Sequence, residues 1–228
     1  MDMMRKIYLL IRAIPKTLYF NFKYLPFKQA IKLPILVSHR MWLMTTGGRV
    51  KLSSHSISPF MVKMGFNEVG IFDQMRSRGV INLNGEIEFK GAAAIGHGSK
   101  ISVEKEGKLT IGENVIITAE TSIICTKEIN IGNEVMLSWE VQIMDSDLHP
   151  IMDRDKNIIN PSEKVNIGDK TWIACRCLIL KGTNLKKGTI VAAGTTVSKS
   201  ANYKIEKENS LIGGNPLKVL KEEVTFKI

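Results

Sequence analysis

Large apolar side chains recur at every sixth position of the sequence, in four blocks that together cover residues 83–197. The positions are Leu83, Phe89, Ile95, Ile101, Ile111, Ile117, Ile123, Ile131, Leu137, Ile143, Ile167, Ile173, Ile179, Leu185, Val191 and Val197. Four residues after most of them stands a small or β-branched side chain, as at Ala93, Thr121 and Thr171. A period of six matches neither the 3.6-residue repeat of an α-helix nor the two-residue repeat of a simple strand.

The period fits a short strand followed by a corner, so that each large side chain points inward and stacks on its equivalent one coil later. A glycine after the inward residue, as at Gly168, gives the backbone freedom at the corner. Three hexads make one triangular coil, and the sixteen hexads predict about five coils. The predicted fold class is mainly β: a parallel β-helix of hexapeptide repeats with a basic, partly helical N-terminal segment and a C-terminal helix. An ordinary β-sandwich with coincidental spacing is the alternative.

The 228 residues support one main domain with attachments. We divide them into an N-terminal basic capping segment (1–80), the β-helix (81–200) with a long polar excursion at 144–166, and a C-terminal tail (201–228). Within the tail, residues 215–223 predict a closing helix after the glycines at 213 and 214. The three cysteines do not make a disulfide framework, so a reducing, cytoplasmic location is expected.

The positive charge of the sequence is concentrated at its N-terminal end. Residues 1–51 contain ten Lys or Arg and one acid, and therefore nine of the ten net positive charges. Aromatic and aliphatic side chains interleave with these cations, which suits the surface of an anionic membrane. The cations also interrupt every apolar run before the ~20 residues that a membrane-spanning helix needs. Two interpretations stay open: a helical cap, or a cap that also contacts the inner membrane face. Nucleic acid is not an expected partner, because no recognition motif accompanies the charge.

One polar excursion carries the residues best suited to acid–base chemistry. Of the four histidines, His149 alone stands on an excursion, and two acids, Asp145 and Asp147, lie within four residues of it. An imidazole with a carboxylate to fix its tautomer and orientation is the arrangement expected of a general base. We therefore predict His149, Asp145 and Asp147 as catalytic residues, with either aspartate orienting the imidazole or contacting the acceptor.

Four stretches of the sequence, SW…DSDLHPI (138–151), IGDKTWI (167–173), AAGTTVSK (192–199) and GNPLKV (214–219), resemble the hexapeptide-repeat acyltransferases. The similarity is greatest to the O-acetyltransferases of bacterial capsule, O-antigen and exopolysaccharide pathways. It implies a left-handed coil, a homotrimer, and acetyl-CoA bound in a groove as acyl donor, with no metal. It also implies that His149 deprotonates the acceptor hydroxyl as this attacks the thioester carbonyl, without a covalent acyl-enzyme.

The resemblance also assigns the remaining site residues by position. Those matching the acetyl-CoA site are Trp172, Ala174, Ala192, Gly194, Thr195, Lys199 and Lys218. Trp139 is the candidate for stacking on a sugar ring. Ala174 stands where the family usually has glycine, and the segment between Lys199 and Gly214 is longer than the common form, which affects the placement of Lys218.

Several functions remain open at this point. The expected acceptor is a sugar or a lipid-linked oligosaccharide that is modified on a hydroxyl. An N-acyltransferase acting on an amino sugar would use His149 in the same way. A zinc hydrolyase needs three converging imidazoles, but only His97 and His149 fall in the coil region. A non-catalytic β-helix scaffold is the alternative from a different class of protein.

Overall fold

The structure is a computed structural model that describes residues 3–73 and 76–227. The helices are α1 (Met3–Tyr24), α2 (Phe27–Ala30) and α3 (Ala201–Lys204). The strands are β1 (Ile35–Val37), β2 (Met41–Thr46), β3 (Arg49–Leu52), β4 (Val62–Met64), β5 (Gly79–Leu83), β6 (Glu86–Phe89), β7 (Ala93–Ile95), β8 (Lys100–Val103), β9 (Lys108–Ile111), β10 (Val115–Ile117), β11 (Ser122–Cys125), β12 (Glu128–Ile131), β13 (Met136–Leu137), β14 (Gln142–Met144), β15 (Val165–Ile167), β16 (Trp172–Ile173), β17 (Leu178–Ile179), β18 (Asn184–Leu185), β19 (Ile190–Val191), β20 (Thr196–Val197), β21 (Leu211–Gly213) and β22 (Lys218–Lys221).

The strands form three sheets, and each turn of the chain adds one strand to each sheet. Sheet A has the order β1-β4-β7-β10-β13-β16-β19-β21-β22, sheet B the order β2-β5-β8-β11-β14-β17-β20, and sheet C the order β3-β6-β9-β12-β15-β18. Pairing is parallel up to the last pair, β21 with β22, which is antiparallel. The strands from β1 to β18 make six complete turns of a triangular coil, against about five predicted from the hexads.

The inward side chains stack in ladders along the coil, as the six-residue period predicts. In sheet A, Ile117, Leu137, Ile173 and Val191 are successive Cα partners. All sixteen inward residues of the hexads are at most 2% exposed. The alternative of a β-sandwich is wrong, because sandwich sheets are antiparallel whereas these are parallel.

The sheets begin at Ile35, well before the predicted boundary at residue 81. β1 pairs with β4, and β4 pairs in register with β7, so the first coils share the core of the later ones. The six-residue spacing does not extend to these coils, because long segments enter between their strands, such as the irregular segment 53–61 between β3 and β4. The predicted boundary at residue 81 thus leaves the first complete coil (β1 to β3) and strand β4 in the N-terminal segment.

Helix α1 caps the N-terminal end of the β-helix. Asn21 pairs with edge strand β1: its Nδ2 donates to the Ile35 carbonyl (2.6 Å) and its Oδ1 accepts from the Ile35 N–H (3.1 Å). The N–H of Val37 donates to Thr17 Oγ1 (3.0 Å). These side chains satisfy backbone groups of an otherwise open strand edge, and Phe20, 1% exposed, closes the apolar end of the core. Contact of this cap with a membrane stays a prediction.

The predicted closing helix over residues 215–223 is wrong. Residues 218–221 instead form β22, which pairs with β21 at the edge of sheet A. The unpaired N–H and C=O groups of β21 favour a strand here over local helix propensity. The helix of the tail is α3, a single turn immediately after β20.

Candidate functional site

The polar excursion predicted at 144–166 lies between β14 and β15, where the chain passes from sheet B to sheet C. We refer to residues 145–164 as the arm. The Glu163 N–H donates to the Asp145 carbonyl (2.9 Å) and closes the base of the arm. Farther out, the Asp153 carboxylate accepts from the N–H of Asn157 (2.9 Å). The backbone of the arm is thus tied together by its own hydrogen bonds.

Asp145 supports the base of the arm from inside the protein. Its side chain is fully buried. Oδ1 accepts from the N–H and hydroxyl of Thr126 (2.8 and 2.9 Å), and Oδ2 accepts from the N–H groups of Lys127 (2.8 Å) and Glu128 (2.7 Å). These four hydrogen bonds occupy both carboxylate oxygens, so they face the adjacent turn rather than an acceptor at the surface.

Asp147 belongs to a charged network on the surface of the arm. Its Oδ2 accepts from Lys181 Nζ (2.6 Å) and from Asn160 Nδ2 (2.8 Å). Lys181 Nζ also donates to the Asn160 carbonyl (2.9 Å). The hydrogen bond from Lys181, followed by that from Asn160, lowers the pKa of Asp147 below its ordinary value. Asp147 is therefore a carboxylate at neutral pH, and it joins the arm to the next coil.

His149 stands on this network, and its backbone is fixed on both sides. Its N–H donates to the Asp147 carbonyl (2.7 Å), and its carbonyl accepts from Asn160 Nδ2 (2.9 Å). The residue itself is exposed. An exposed imidazole on a fixed backbone can take a proton from a group that approaches from outside.

A second group of predicted residues lies on the outer face of sheet A. Ala174, Ala192 and Gly213 each follow the inward residue of one of the last three parallel strands of this sheet, so they lie side by side. A Cβ added to Gly213 would lie 2.8 Å from the Cβ of Ala192. The row thus consists of small residues, of which Ala174 and Ala192 are half-buried and Gly213 is buried. Lys218, the partner of Gly213 in β22, stands at its end.

Two other predicted residues lie at the corner that follows this row, between β19 and β20. Gly194 has φ +69°, and a Cβ at this position would meet nothing within 4 Å. Open space beside a glycine leaves room for a ligand to approach the backbone. Thr195, in contrast, is 1% exposed and occupies an inward position, so its side chain belongs to the core.

The two tryptophans among the predicted site residues, Trp139 and Trp172, lie on the same side of the molecule as this row. Trp172 donates from Nε1 to Ser138 Oγ (3.0 Å), and its ring centroid lies 5.6 Å from that of Phe226. Trp139 stands between β13 and β14, at the corner that joins sheet A to sheet B, and its carbonyl accepts from the Arg176 N–H (3.1 Å). Trp139 is therefore a neighbour of the row rather than of His149.

Lys199 does not lie with Lys218. It stands after β20 on the side of the arm, where its Nζ is 2.6 Å from Glu163 Oε2. The Glu163 carboxylate raises the pKa of Lys199 above its ordinary value. Lys199 thus pairs with the base of the arm.

The structure separates the predicted site residues into two groups within one chain. His149, Asp147 and Lys199 lie at the corner between sheets B and C, whereas Trp139, Ala174 and Ala192 lie on the side of sheet A. Sheet B stands between them. Its strand β14 (Gln142–Met144) lies between Trp139 and the arm.

Sequence reasoning did not identify Lys181, Asn160 or Gly213. The first two are polar residues without a local motif, and only the coil geometry brings them to Asp147. Gly213 could have been found, because it follows an apolar residue as Ala174 and Ala192 do.

His97 does not join His149. It is buried, and its Nδ1 lies 3.2 Å from the Asn67 carbonyl. Among residues 3–73 and 76–227, no group of three or more His, Cys, Asp or Glu side chains could hold a metal ion. Within the same residues, no helix is long and apolar enough to cross a membrane.

No family model matches the chain. The sequence is 30% identical over 148 residues to an uncharacterized 24.8 kDa protein in the cps region of Klebsiella pneumoniae, covering 64% of this chain and 63% of that protein. It is 33% identical over 85 residues to the polysialic acid O-acetyltransferase of Neisseria meningitidis, covering 37% of each. The chain thus spans less than two thirds of the length of either relative.

Among solved structures, the fold is similar to the crystal structure of the polySia-specific acetyltransferase NeuO. The TM-score is 0.50 at 19% sequence identity, with 85% of this chain and 78% of that chain covered. The predicted fold class, a left-handed parallel β-helix, is confirmed. The predicted resemblance to hexapeptide-repeat acyltransferases is confirmed as well, since similar proteins of known name are acetyltransferases.

Proposed function

We propose that the protein is an acetyl-CoA-dependent O-acetyltransferase that modifies a sugar hydroxyl of a bacterial surface polysaccharide precursor. The observation that carries the proposal is His149, exposed on an arm whose backbone is held by Asp147, Asn160 and Lys181. The similarity to acetyltransferases supports the same chemistry.

In this proposal His149 is the general base. Its imidazole accepts the proton of the acceptor hydroxyl while the hydroxyl oxygen attacks the acyl carbonyl. The C–S bond of the thioester then breaks, and the imidazolium returns the proton to the departing CoA thiolate. Asp147, a carboxylate at neutral pH, is the positioning residue, because it holds the turn that carries His149. Asp145 supports the turn from inside and does not contact the acceptor.

A direct transfer agrees with the state of the two buried cysteines, Cys125 and Cys177. Burial raises the pKa of Cys125 to about 12 and also raises that of Cys177 above its ordinary value. A buried thiol with a raised pKa is a poor nucleophile, because the thiolate is the reactive form. Neither side chain is therefore suited to form an acyl-enzyme.

The row on sheet A fits the acyl donor. Acetyl-CoA supplies the acetyl group as an activated thioester. The small side chains of Ala174 and Ala192, which are half-buried, leave room for the pantetheine arm, and Gly194 borders open space. Lys218 at the end of the row is placed to bind a phosphate as a point charge.

The active site is complete only between copies of the chain. His149 and the row lie on different sides of one coil, so a homotrimer in which the arm of one copy reaches the row of the next would bring them together. The tip of the arm supports this arrangement. Five apolar side chains there are more than half exposed: Leu148, Ile151, Met152, Ile158 and Ile159. Such a tip is expected to be covered by a protein partner.

The acceptor is proposed from the relatives and the charge. One relative is a polysialic acid O-acetyltransferase, and another is encoded in a cps region. The basic residues 1–51 favour an acceptor carried on a lipid, at the inner face of the cytoplasmic membrane.

The experiment is mass spectrometry of candidate glycan precursors after incubation with acetyl-CoA. We expect a gain of one acetyl group, and substitution His149→Ala should lower the transfer rate by about 10²–10⁴-fold while acetyl-CoA binding is retained. His55→Ala is the matched control, since His55 is also exposed but lies in the first coils. Equal rates for both variants would remove His149 as the base.

A further inference from the structure

Helix α1 has an exposed apolar side next to the side that caps the core. The side chains of Ile7, Leu10 and Ile14 are between 45% and 50% exposed. Ile11 (59% exposed) and Leu18 (41% exposed) lie on the same side of the helix. These residues recur at helical spacing, so they form one continuous stripe. The cap requires only the neighbouring face, with Ala13, Thr17 and Phe20. The stripe is therefore not explained by capping.

A groove runs along this stripe. Its walls are Leu10 and Ile14 on α1, and Leu36 and Phe60 on the first coil. Two connected parts, which share Leu10, Leu36 and Phe60, enclose about 490 Å³ and 250 Å³. The smaller part is lined almost entirely by apolar atoms. Its shape suits an extended hydrocarbon chain better than a compact polar ligand.

Two lysines stand in the larger part of the groove. Lys6 comes from α1 and Lys63 from β4, and no acidic side chain lines either part. Neither lysine takes part in an ion pair within the part of the chain that the structure describes. The acid near this end, Glu68, pairs with Arg5 (3.3 Å) instead. The groove thus joins an apolar channel to two uncompensated cations.

We propose that this groove binds the lipid end of a phosphorylated lipid, with the hydrocarbon chain between α1 and the first coil and the phosphate between Lys6 and Lys63. The positive charge of this end of the protein favours a phosphorylated lipid in the groove over a second copy of the chain. Residues 1–51 carry nine net positive charges per chain, so two copies placed face to face would repel each other. The identification of the lipid as part of the acceptor rests on the proposed function, whereas the binding itself does not.

The test is isothermal titration calorimetry of the intact protein with dodecyl phosphate below its micelle concentration, beside dodecanol and inorganic phosphate. We expect dodecyl phosphate to bind at least about tenfold more tightly than either, because only it engages both the apolar walls and the lysines. Lys6→Gln and Lys63→Gln should each weaken binding by about tenfold. Lys28→Gln, an exposed lysine outside the groove, is the matched control.

A second pair of variants distinguishes binding of a lipid in the groove from contact of the whole exposed helix face with a membrane. Leu10→Glu places a negative charge in the groove and should abolish dodecyl phosphate binding. Ile7→Glu places the same charge on the same helix outside the groove and should leave binding unchanged. Both side chains are nearly half exposed (45% and 46%), so both variants should fold, which circular dichroism checks.

Three outcomes would overturn the proposal. Equal affinity for dodecanol and dodecyl phosphate would remove the phosphate site. If the protein does not bind dodecyl phosphate, but Leu10→Glu and Ile7→Glu both abolish its binding to phosphatidylglycerol vesicles, the stripe docks on a bilayer instead. A change of oligomeric state in Leu10→Glu without lipid binding would assign the groove to a second copy. The same titration on His149→Ala must give the wild-type affinity, so failure of the catalytic proposal stays distinguishable from failure of this one.

Discussion

The substitution Asp145→Asn tests whether Asp145 only supports the arm or also takes part in catalysis. Asp145 is the first residue of the arm and is fully buried, and its side chain is isosteric with that of Asn. Its two oxygens accept four hydrogen bonds from Thr126, Lys127 and Glu128. An amide offers one oxygen and one NH₂ group, so it cannot accept on both sides.

The size of the effect follows from the donors that lose their partner. If the amide oxygen stays on Thr126, the NH₂ group faces two N–H donors, those of Lys127 and Glu128. If the amide flips, only the Thr126 N–H is left without a partner, because its hydroxyl can turn and accept. The flipped form is therefore favoured. One buried N–H without a partner costs about 1–3 kcal/mol. Asp145→Ala leaves all three N–H groups unpaired and should cost about 3–5 kcal/mol.

The measurements are thermal unfolding and hydrogen exchange. For a chain of this size, about 1–3 kcal/mol corresponds to a loss of roughly 2–12 °C in Tm. The amide protons of residues 126–128 should exchange faster in Asp145→Asn than in the wild type, since their protection depends on the carboxylate. Asp155→Asn makes the same change at an exposed position of the arm and is expected to leave both quantities unchanged.

Catalysis distinguishes the two possible roles of Asp145. If it only supports the arm, turnover per folded molecule in Asp145→Asn should fall less than in Asp147→Asn, and its pH dependence should stay that of the wild type. An unchanged Tm together with a shifted pH profile would refute the reasoning, because it would place Asp145 in contact with His149.

The remaining predictions concern three other parts of the proposed site. Lys218→Gln should raise the KM for acetyl-CoA several-fold with kcat retained, whereas Lys221→Gln on the same strand should not; steady-state kinetics checks this. The lowered pKa of Asp147 means that its pair with Lys181 contributes stability above the ordinary pKa of Asp and loses it as pH falls through the lowered value. The Tm difference between wild type and Asp147→Asn should therefore be constant at neutral pH and vanish in acid. Ile158→Ser at the tip of the arm should weaken assembly, which analytical ultracentrifugation would show as smaller species; an unchanged assembly would contradict the role of the tip.

The coil could be predicted from the sequence because its geometry requires an apolar side chain at each of the sixteen inward positions of the hexads. Every inward side chain stacks on those of the coils above and below, so a polar residue there would be buried without a partner. The strict spacing fails where extra residues enter between strands, as between Ile123 and Ile131, and it is lost before residue 79, where the added segments are long. The strand at 218–221 could not be predicted in this way, because it is stabilised by the open edge of β21, a feature of the assembled sheet.

The roles of the two aspartates illustrate the limit of local reasoning. Asp145 and Asp147 are two residues apart, four and two residues before His149 in sequence. Asp145, however, directly follows β14 and turns into the protein, where the previous coil offers three N–H donors. Asp147 lies two residues farther out and meets Lys181 from the next coil. The donors that distinguish them lie between 17 and 34 residues away, so no local pattern shows them.

The hexad register places Trp139 and His149 at different corners of the coil. Their separation bears on whether the proposed site forms within one chain or between copies. Trp139 follows an inward residue of sheet A, Leu137, whereas His149 follows an inward residue of sheet B, Ile143. Because Trp139 and His149 lie at opposite ends of β14, we expect a stacking residue and a base at these positions to act on the same sugar only across two copies. Either Trp139 serves the His149 of a neighbouring copy, or it has no part in the reaction. Mixing His149→Ala chains with Trp139→Ala chains decides between these alternatives. If the site lies between copies, mixed trimers contain one interface with both residues intact and regain part of the activity that each variant lacks alone.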